Sequence, residues 1–250
     1  MRVELVESAV GGDRENHYLT SLLVDRGLAV DMGGLGFCGD LARQQAVRDV
    51  FLTHAHLDHV ASLPFFLENV YRSADRPVRL HASRPVLDSL ARHLFNGEIW
   101  PDLFALEGFC ECVAIAAETP VRAGDLEVIP VEVAHPVPTF GYVVASESAA
   151  VVIAPDTGPT ARLWEVANRL PQLKAVFLDL SFPEALAELA EVSQHLTPAR
   201  FAAEIAKLER PVPVHAIHLK ARFRADIARE LAGLGLDGVT IARPGVSYEF

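Results

Sequence analysis

The chain is threaded with short runs rich in Val, Leu and Ile, among them LAVD, DVFLTH, LEVIPVEVAH, AAVVIAPD, KAVFLD and PVHAIH, and each of these stops at an Asp or a His. Runs of this length and composition read as strands, and LTSLLVD, PVRLHA, TFGYVVAS and GVTIARP extend the set. Apolar residues at three-to-four spacing predict helices near residues 84 to 96, 160 to 169, 184 to 193, 198 to 208 and 221 to 232. The pattern confines the fold to the α/β class, sheets covered by helices, with a hairpin-rich first half and a second half that alternates strand and helix. No fixed-period repeat, low-complexity tract or Gly/Ser/Pro-rich linker interrupts it, so residues 1–250 are expected to form a single domain. Asp31, His54, His135, Asp156, Asp179 and His218 then stand at or just beyond strand ends, positions that converge on one rim in such architectures.

Composition limits what that rim can bind. The 33 acidic and 22 basic residues give a formal net charge of −11, and half the residues are hydrophobic, a balance that excludes intrinsic disorder. With no Lys/Arg-rich run, a surface that neutralises the phosphates of polymeric DNA or RNA is not expected, although a small phosphorylated substrate can still be held locally. The N-terminus lacks the basic start and apolar stretch of a secretory signal, and no apolar run nears the ~18 residues of a membrane span, so a cytoplasmic protein with no membrane partner is expected. Cys110 and Cys112 are one residue apart, too close for a relaxed disulfide or a CxxC zinc pair. With Cys38 they are read as reduced, structural thiols.

The densest chemistry lies in THAHLDH, which places His54, His56, Asp58 and His59 directly after the strand DVFLT. Two imidazoles two residues apart can close on one cation. The carboxylate and imidazole that follow, at the start of the helix DHVASLPFF, can face a second cation nearby, a two-metal pattern. The competing reading is a solvated polar turn with incidental histidines.

This His-x-His-x-Asp-His element resembles that of the metallo-β-lactamase superfamily, whose fold is a four-layer αβ/βα sandwich. The resemblance extends in order to Asp31 in AVDMGG as a carboxylate supporting the ligands from behind, His135 in EVAHPVPTFGY, Asp156 in IAPDTG and His218 in AIHLK. It implies one metal on His54, His56 and His135, a second on Asp58, His59 and His218, and Asp156 bridging both. Zn is the expected ion, with Mn or Fe compatible with the same imidazole and carboxylate donors. HLFNGEIWPDL, THAHLDHVASLPFFLENVY, HPVPTFGY, LDLSFP, QHLTP and HLK further resemble the class II 3′,5′-cyclic-nucleotide phosphodiesterases over nearly the whole chain. Homodimers are common among such relatives.

Phosphodiesterases of this superfamily, RNase Z included, use a His with an acidic partner beside the metals, and the resemblance puts His195 and Asp179 in those roles. Here Leu178 precedes Asp179 where RNase Z has a His, and Ser181 stands for a Thr. His195 is followed by Thr197 and Pro198, an N-cap and first-turn pair, so it is expected beside a helix N-terminus that favours an anionic group. Thr197 and Lys220, two residues past His218, are candidate phosphate contacts. Trp100 can stack a nucleobase or, held by Pro101, form a buried wall. His17, in the polar loop GGDRENH, is the remaining histidine expected to face the pocket. His81, His93 and His215 read as satisfied or exposed, Arg222 and Arg224 as a solvated helix face, and Phe65, Phe66 and Leu67 as core.

The expected reaction is hydrolysis of a cyclic nucleotide, cAMP or cGMP, to the 5′-monophosphate. Water activated by two cations attacks phosphorus in line, His195 protonates the departing 3′ oxygen with Asp179 orienting it, and Asp58 serves as both ligand and catalytic carboxylate. Three other readings compete: an RNase Z-like nuclease, for which the short segment between Asp156 and His195 leaves little room for a tRNA-gripping arm; a thioester or lactone hydrolase, which has no need of His195; and a non-catalytic dinucleotide binder. The last rests on GLGFCG, whose Gly34, Gly36 and Gly39 satisfy Gly-x-Gly-x-x-Gly. A dinucleotide fold wants an acidic residue at the end of the next strand, but DVFLT ends in His54, so the glycines are read as a tight turn past Asp31.

Overall fold

The computed structural model describes residues 1–8, 15–71 and 77–250, so residues 11–14 of the GGDRENH loop lie outside the described residues. One sheet holds β1 (Arg2–Leu5), β2 (Leu22–Val24), β3 (Leu28–Val30), β4 (Asp49–Phe51), β5 (Val78–Ala82) and β6 (Cys110–Ala114). The other holds β7 (Val121–Ala123), β8 (Leu126–Glu132), β9 (Phe140–Ala145), β10 (Ala150–Ala154), β11 (Leu173–Asp179), β12 (Val214–Ile217) and β13 (Val239–Ile241). The last strand, β14 (Ser247–Glu249), returns to pair with β1, giving sheet orders β14-β1-β2-β3-β4-β5-β6 and β13-β12-β11-β10-β9-β8-β7. The helices are α1 (Leu41–Ala46), α2 (Leu57–Val60), α3 (Leu63–Val70), α4 (Arg84–His93), α5 (Arg162–Asn168), α6 (Ala187–Val192), α7 (Pro198–Ile205) and α8 (Arg224–Gly233).

Three apolar clusters define four layers. Val24, Val30 and Phe51 of the first sheet meet Val128, Tyr142, Ile153 and Phe177 of the second in the core between the sheets. The other face of the first sheet packs against Leu63, Phe66 and Leu67 of α3 and Val86, Leu87 and Leu90 of α4. Leu163 and Trp164 of α5, Phe201 of α7 and Ile227 of α8 cover the second. Strand β10 is buried on both faces, with Val151 and Ile153 toward the partner sheet and Val152 and Ala154 toward helices. That is why AVVIA is a continuous apolar run rather than an alternating one. At roughly 1.5–3 kcal/mol for each fully buried large aliphatic side chain, these layers supply the main favourable free energy of folding.

The expected division into a hairpin-rich and an alternating half is corrected. Each sheet contains both: β1 to β3 and β7 to β10 run as antiparallel meanders, while β3 to β6 and β10 to β13 are parallel. Helices such as α3 and α4 return the chain to the same end of the sheet, and a return of that kind makes the next strand parallel. Consequently β3, β4, β10, β11 and β12 deliver Asp31, His54, Asp156, Asp179 and His218 at strand ends. Strands β1, β6, β7 and β14 escaped the periodicity reading because RVEL, CECVA, VRA and SYE carry charged residues, and β6, β7 and β14 lie at sheet edges.

One local expectation is also corrected. Phe65 is 40% exposed, since the buried face of α3 runs through Leu63, Phe66, Leu67 and Val70 and leaves Phe65 outside it. The glycines of GLGFCG lie in a tight 3₁₀ turn past Asp31, centred on Leu35–Phe37, and none of them is left-handed. The left-handed residue is Asp31 itself, at φ 60°, and Gly36 is required by close approach, since a Cβ there would lie 2.2 Å from the carbonyl oxygen of Ser62, the N-cap of α3. Gly39 has open space around it, so the spacing of the three glycines is incidental.

Candidate metal centre

His54 ends the segment that follows β4, and the chain turns at His56 into the short α2, so Asp58 and His59 enter its first turn. Backbone bonds from Met32 N–H to the His59 carbonyl (2.7 Å) and from Ser62 N–H to the Met32 carbonyl (3.0 Å) tie this turn to the loop after β3. Asp31 is fully buried at the start of that loop and organises the motif from beneath. It accepts from the Thr53 N–H at 2.8 Å, from Thr53 Oγ1 at 2.9 Å and from His59 Nδ1 at 2.7 Å. Thr53 Oγ1 in turn lies 2.9 Å from His54 Nδ1. A hydroxyl that donates to a carboxylate must accept from the imidazole, so His54 carries its proton on Nδ1 and presents a bare Nε2, while His59 donates its Nδ1–H to Asp31 directly.

On the second sheet the arrangement recurs. Asp179, at the end of β11 and also fully buried, accepts from Ser181 Oγ at 2.5 Å and from His195 Nδ1 at 2.9 Å. Ser181 Oγ is 3.0 Å from His218 Nδ1, which leaves His218 Nε2 turned toward Asp58 Oδ2 at 3.2 Å. Lys220 Nζ reaches the same Asp58 oxygen at 3.4 Å.

Between the rims stands Asp156, 2% exposed, with its two oxygens facing different histidines. Oδ1 is 3.0 Å from His59 Nε2 and 3.3 Å from His218 Nδ1, whereas Oδ2 is 3.7 Å from His54 Nε2 and 3.8 Å from His135 Nε2. His54, His56, His135 and Asp156 form one group of convergent donors, and Asp58, His59 and His218 another. The ring nitrogens His54 Nε2 and His59 Nε2 and the oxygen Asp156 Oδ1 are buried without hydrogen-bond partners among the described residues. Imidazole and carboxylate donors drawn this close, several of them buried without a hydrogen-bond partner, fit cation coordination, and the set suits divalent transition metals.

The electrostatics follow from this crowding. Burial holds His54 well below, and His56 below, the ordinary histidine pKa, and brings His135 down to about 4, so these three imidazoles are neutral and able to coordinate. Burial acts against ionised Asp156, yet the charges of His218 and His59 outweigh it and hold that carboxyl well below the usual range. His59 is opposed by burial too, and Asp156 and Asp31 raise it. Asp58 is likewise held low by His218, His59 and Lys220 against the effect of burial.

His195, 6% exposed, joins Asp156 and His218 in a third convergent group, its Nε2 3.9 Å from Asp156 Oδ2 and its Nδ1 fixed on Asp179. Thr197 occupies the N-cap position of α7 with Pro198 next, but its hydroxyl makes no capping bond and is buried without a partner. Trp100 is half-buried, leans on Phe65 at a ring separation of 4.9 Å and packs against the first sheet's core. His81 is satisfied by Asp49 (2.8 Å) and His215 by Thr240 (2.8 Å), and His93 is exposed. The three cysteines are free, with Cys112 exposed rather than structural. Thr53 was not singled out from sequence, and Ser181 was noted only as a replacement. A hydroxyl carries no ligand signature, and only its place directly before His54, or two residues after a strand-end Asp, hints at the role.

Residues 36–219 match the beta-lactamase superfamily domain, and the chain belongs to that family. Its fold and donor set are those of a metal-dependent hydrolase. In sequence it is 36% identical over 62 residues to 3′,5′-cyclic-nucleotide phosphodiesterase 1 of Saccharomyces cerevisiae, covering 24% of this chain and 17% of that protein. A probable 3′,5′-cyclic-nucleotide phosphodiesterase of Yersinia pestis is 22% identical over 212 residues, 72% of this chain and 59% of the relative. The chain thus spans less than two thirds of the length of either. In structure it resembles unliganded yeast PDE1 (TM-score 0.77, 18% identity, 96% of each chain) and the metallo-beta-lactamase fold protein YhfI of Bacillus subtilis (TM-score 0.77, 15% identity, 100% of this chain and 98% of that one), likenesses of fold. No helix among the described residues is long and apolar enough to cross a membrane.

Proposed function

We propose that the protein is a dinuclear phosphodiesterase that hydrolyses a 3′,5′-cyclic nucleotide to the 5′-monophosphate, with zinc as its resident metal. Two cations, one on His54, His56 and His135 and the other on Asp58, His59 and His218 with Asp156 between them, would supply Lewis acidity and an activated water. The observation that carries the reading is His195. Its Nδ1–H is locked on Asp179 at 2.9 Å, so its Nε2 is the nitrogen turned toward Asp156 and free to exchange a proton.

When the P–O3′ bond breaks, the departing alkoxide takes a proton from His195 Nε2, and Asp179 stabilises the imidazolium that precedes the transfer. Burial opposes charge on Asp179, but His195 and His218 hold its carboxyl below the ordinary range and keep it an acceptor. Asp58, also held low, is a strong ligand charge and a weak base. A thiolate departs without protonation, so thioester chemistry has no use for such an acid, which favours the phosphodiester over that reading. The two cyclic-nucleotide phosphodiesterases among the sequence relatives support the substrate.

Zinc-loaded protein is expected to convert cyclic AMP to 5′-AMP and to cleave bis(p-nitrophenyl) phosphate, with both activities abolished by a chelator and restored by added metal. Turnover of lactone or thioester in place of both phosphodiesters would overturn the reading.

A further inference from the structure

The loop from β8 to β9, residues 133–139, carries His135 and is tied down on both sides of it. Val133 N–H donates to the Thr139 carbonyl at 3.2 Å, and Phe140 N–H, at the start of β9, donates to the Thr53 carbonyl at 3.1 Å, one residue before His54. The His54 and His135 rings then meet with their centroids 4.8 Å apart. Strand β5 lies beside β4, with Leu52 N–H donating to the His81 carbonyl at 2.9 Å, so the start of α4 at Ser83 is one strand away from the metal-binding turn. A groove of about 390 Å³ runs between that helix start and the loop, and His135 is one of the residues that line it. It therefore opens beside a donor of the candidate metal centre, and a substrate whose phosphorus lies at the metals can extend into it.

The chemistry of the groove is one-sided. Pro85, Pro136, Val137 and Pro138 give it apolar walls, which suit a flat heteroaromatic ring, and its volume is that of a small-molecule site. No Lys or Arg lines it, and its one carboxylate is Glu132, at the end of β8 and opposite Phe140 in the sheet. Thr139 spends its hydroxyl on the Val137 carbonyl at 2.8 Å, whereas the exposed Glu132 side chain has no hydrogen-bond or ion-pair partner among the described residues. Three residues separate Glu132 from His135, a reach of at most about 11 Å, the scale of one nucleoside.

An ionised carboxylate without a cation beside it repels a phosphoryl group, so the groove takes the other end of a nucleotide. Two acceptor oxygens side by side are best met by two adjacent N–H donors. Guanine presents such a pair, N1–H and N2–H, on one edge. Adenine and cytosine set a donor beside a lone pair, which faces the second oxygen unfavourably, and uracil offers one donor between two carbonyls.

We propose that this groove is the nucleobase subsite and that Glu132, accepting from guanine N1–H and N2–H, makes the enzyme prefer cyclic GMP to cyclic AMP. The inference rests on the phosphodiesterase reading and assigns the base specificity of that same site.

The test measures kcat/KM for cyclic GMP and cyclic AMP with metal-loaded wild type, Glu132→Ala and Glu132→Gln, with metal content by elemental analysis and melting temperature followed in each. Wild type is expected to favour cyclic GMP by about tenfold or more, the scale on which a site built for a hydrogen-bonding edge rejects its mismatch. Glu132→Ala should keep metal and melting temperature and lose that ratio. Glu132→Gln, whose amide pairs a donor with an acceptor, should shift it toward cyclic AMP. A wild type indifferent to the base or favouring cyclic AMP overturns the proposal, as does an alanine variant that slows both substrates equally, the mark of a merely structural role. A wild type that hydrolyses neither cyclic nucleotide removes the phosphodiesterase reading, and calorimetry of 5′-GMP against 5′-AMP then judges the groove. Tighter GMP binding that disappears in Glu132→Ala supports the assignment, and equal affinities overturn it.

Discussion

The rims of the two sheets are built on the same plan and used differently. Each has a fully buried aspartate at a strand end, a hydroxyl bonded to it, and two imidazoles turned by their Nδ1 atoms toward that pair: Asp31, Thr53, His54 and His59 on one side, and Asp179, Ser181, His218 and His195 on the other. Each also carries a residue in the left-handed region, Asp31 at φ 60° and His218 at φ 63°, a conformation costly for side chains other than glycine and concentrated at functional sites. On the first rim, however, both imidazoles belong to the groups of convergent donors that could hold a metal. On the second, His218 belongs with a donor pair from the first, and His195, which converges with His218 and Asp156 in a third group, is held by Asp179. Burial raises the pKa of Asp31, whereas at Asp179 the charges of His195 and His218 overcome burial and lower it. One rim is thus arranged to orient ligands, and in the proposed reaction the other also poises a proton.

The most damaging way to break the comparison is to remove the residue the rims share. Asp156→Ala deletes the oxygens that face both histidine sets, and it is expected to lose bound metal and abolish turnover. Full metal content with retained activity would show the rims to be independent. Next in size, His195→Ala should keep its metal and lose about 10²-fold or more in kcat, the scale of a missing general acid. If metal leaves with the ring, the second rim is a ligand platform like the first.

Much of this plan was readable in the sequence. His54, His56, Asp58 and His59 are contiguous, and Asp31, Asp156, Asp179 and His218 follow apolar runs whose strand character is strong, so the strand-end rule could assemble them. What escaped depends on register between distant segments. Thr53 matters because it meets Asp31, 22 residues earlier, and Ser181 because it meets His218, 37 residues later. Phe65 was misassigned to the core because a run of three apolar residues hides which of them lies off the helix face. Likewise Gly36 matched a dinucleotide-binding spacing while its actual constraint is a neighbouring carbonyl, invisible without the fold.

A smaller effect separates the two buried carboxylates from the ligands they serve. Asp31→Ala frees His54 and His59 from the group that fixes their tautomers, and metal affinity should fall within the roughly 10–100-fold span of such supporting contacts, while kcat at saturating metal stays near wild type. Competition with a chromophoric chelator measures the first and steady-state kinetics the second. A kcat as low as that of His195→Ala would assign proton chemistry to the first rim as well.

The finest test exchanges the two hydroxyls. Thr53→Val preserves shape and removes the oxygen between His54 Nδ1 and Asp31, but the Thr53 N–H and His59 still bond that carboxylate. Ser181→Ala removes the oxygen between His218 Nδ1 and Asp179, while the His195 contact to Asp179 survives. Each leaves a buried group short of one partner, about 1–3 kcal/mol, which bounds the effect near tenfold when part of it is recovered by relaxation. Valine at 53 should therefore weaken metal binding at unchanged kcat. Alanine at 181 should do both, loosening His218 and dropping kcat about tenfold, because Asp179 loses the bond that steadies it under His195. Equal and purely metal-directed effects from the two variants would mean that the second hydroxyl serves coordination alone, and that His195 is held by Asp179 without help from Ser181.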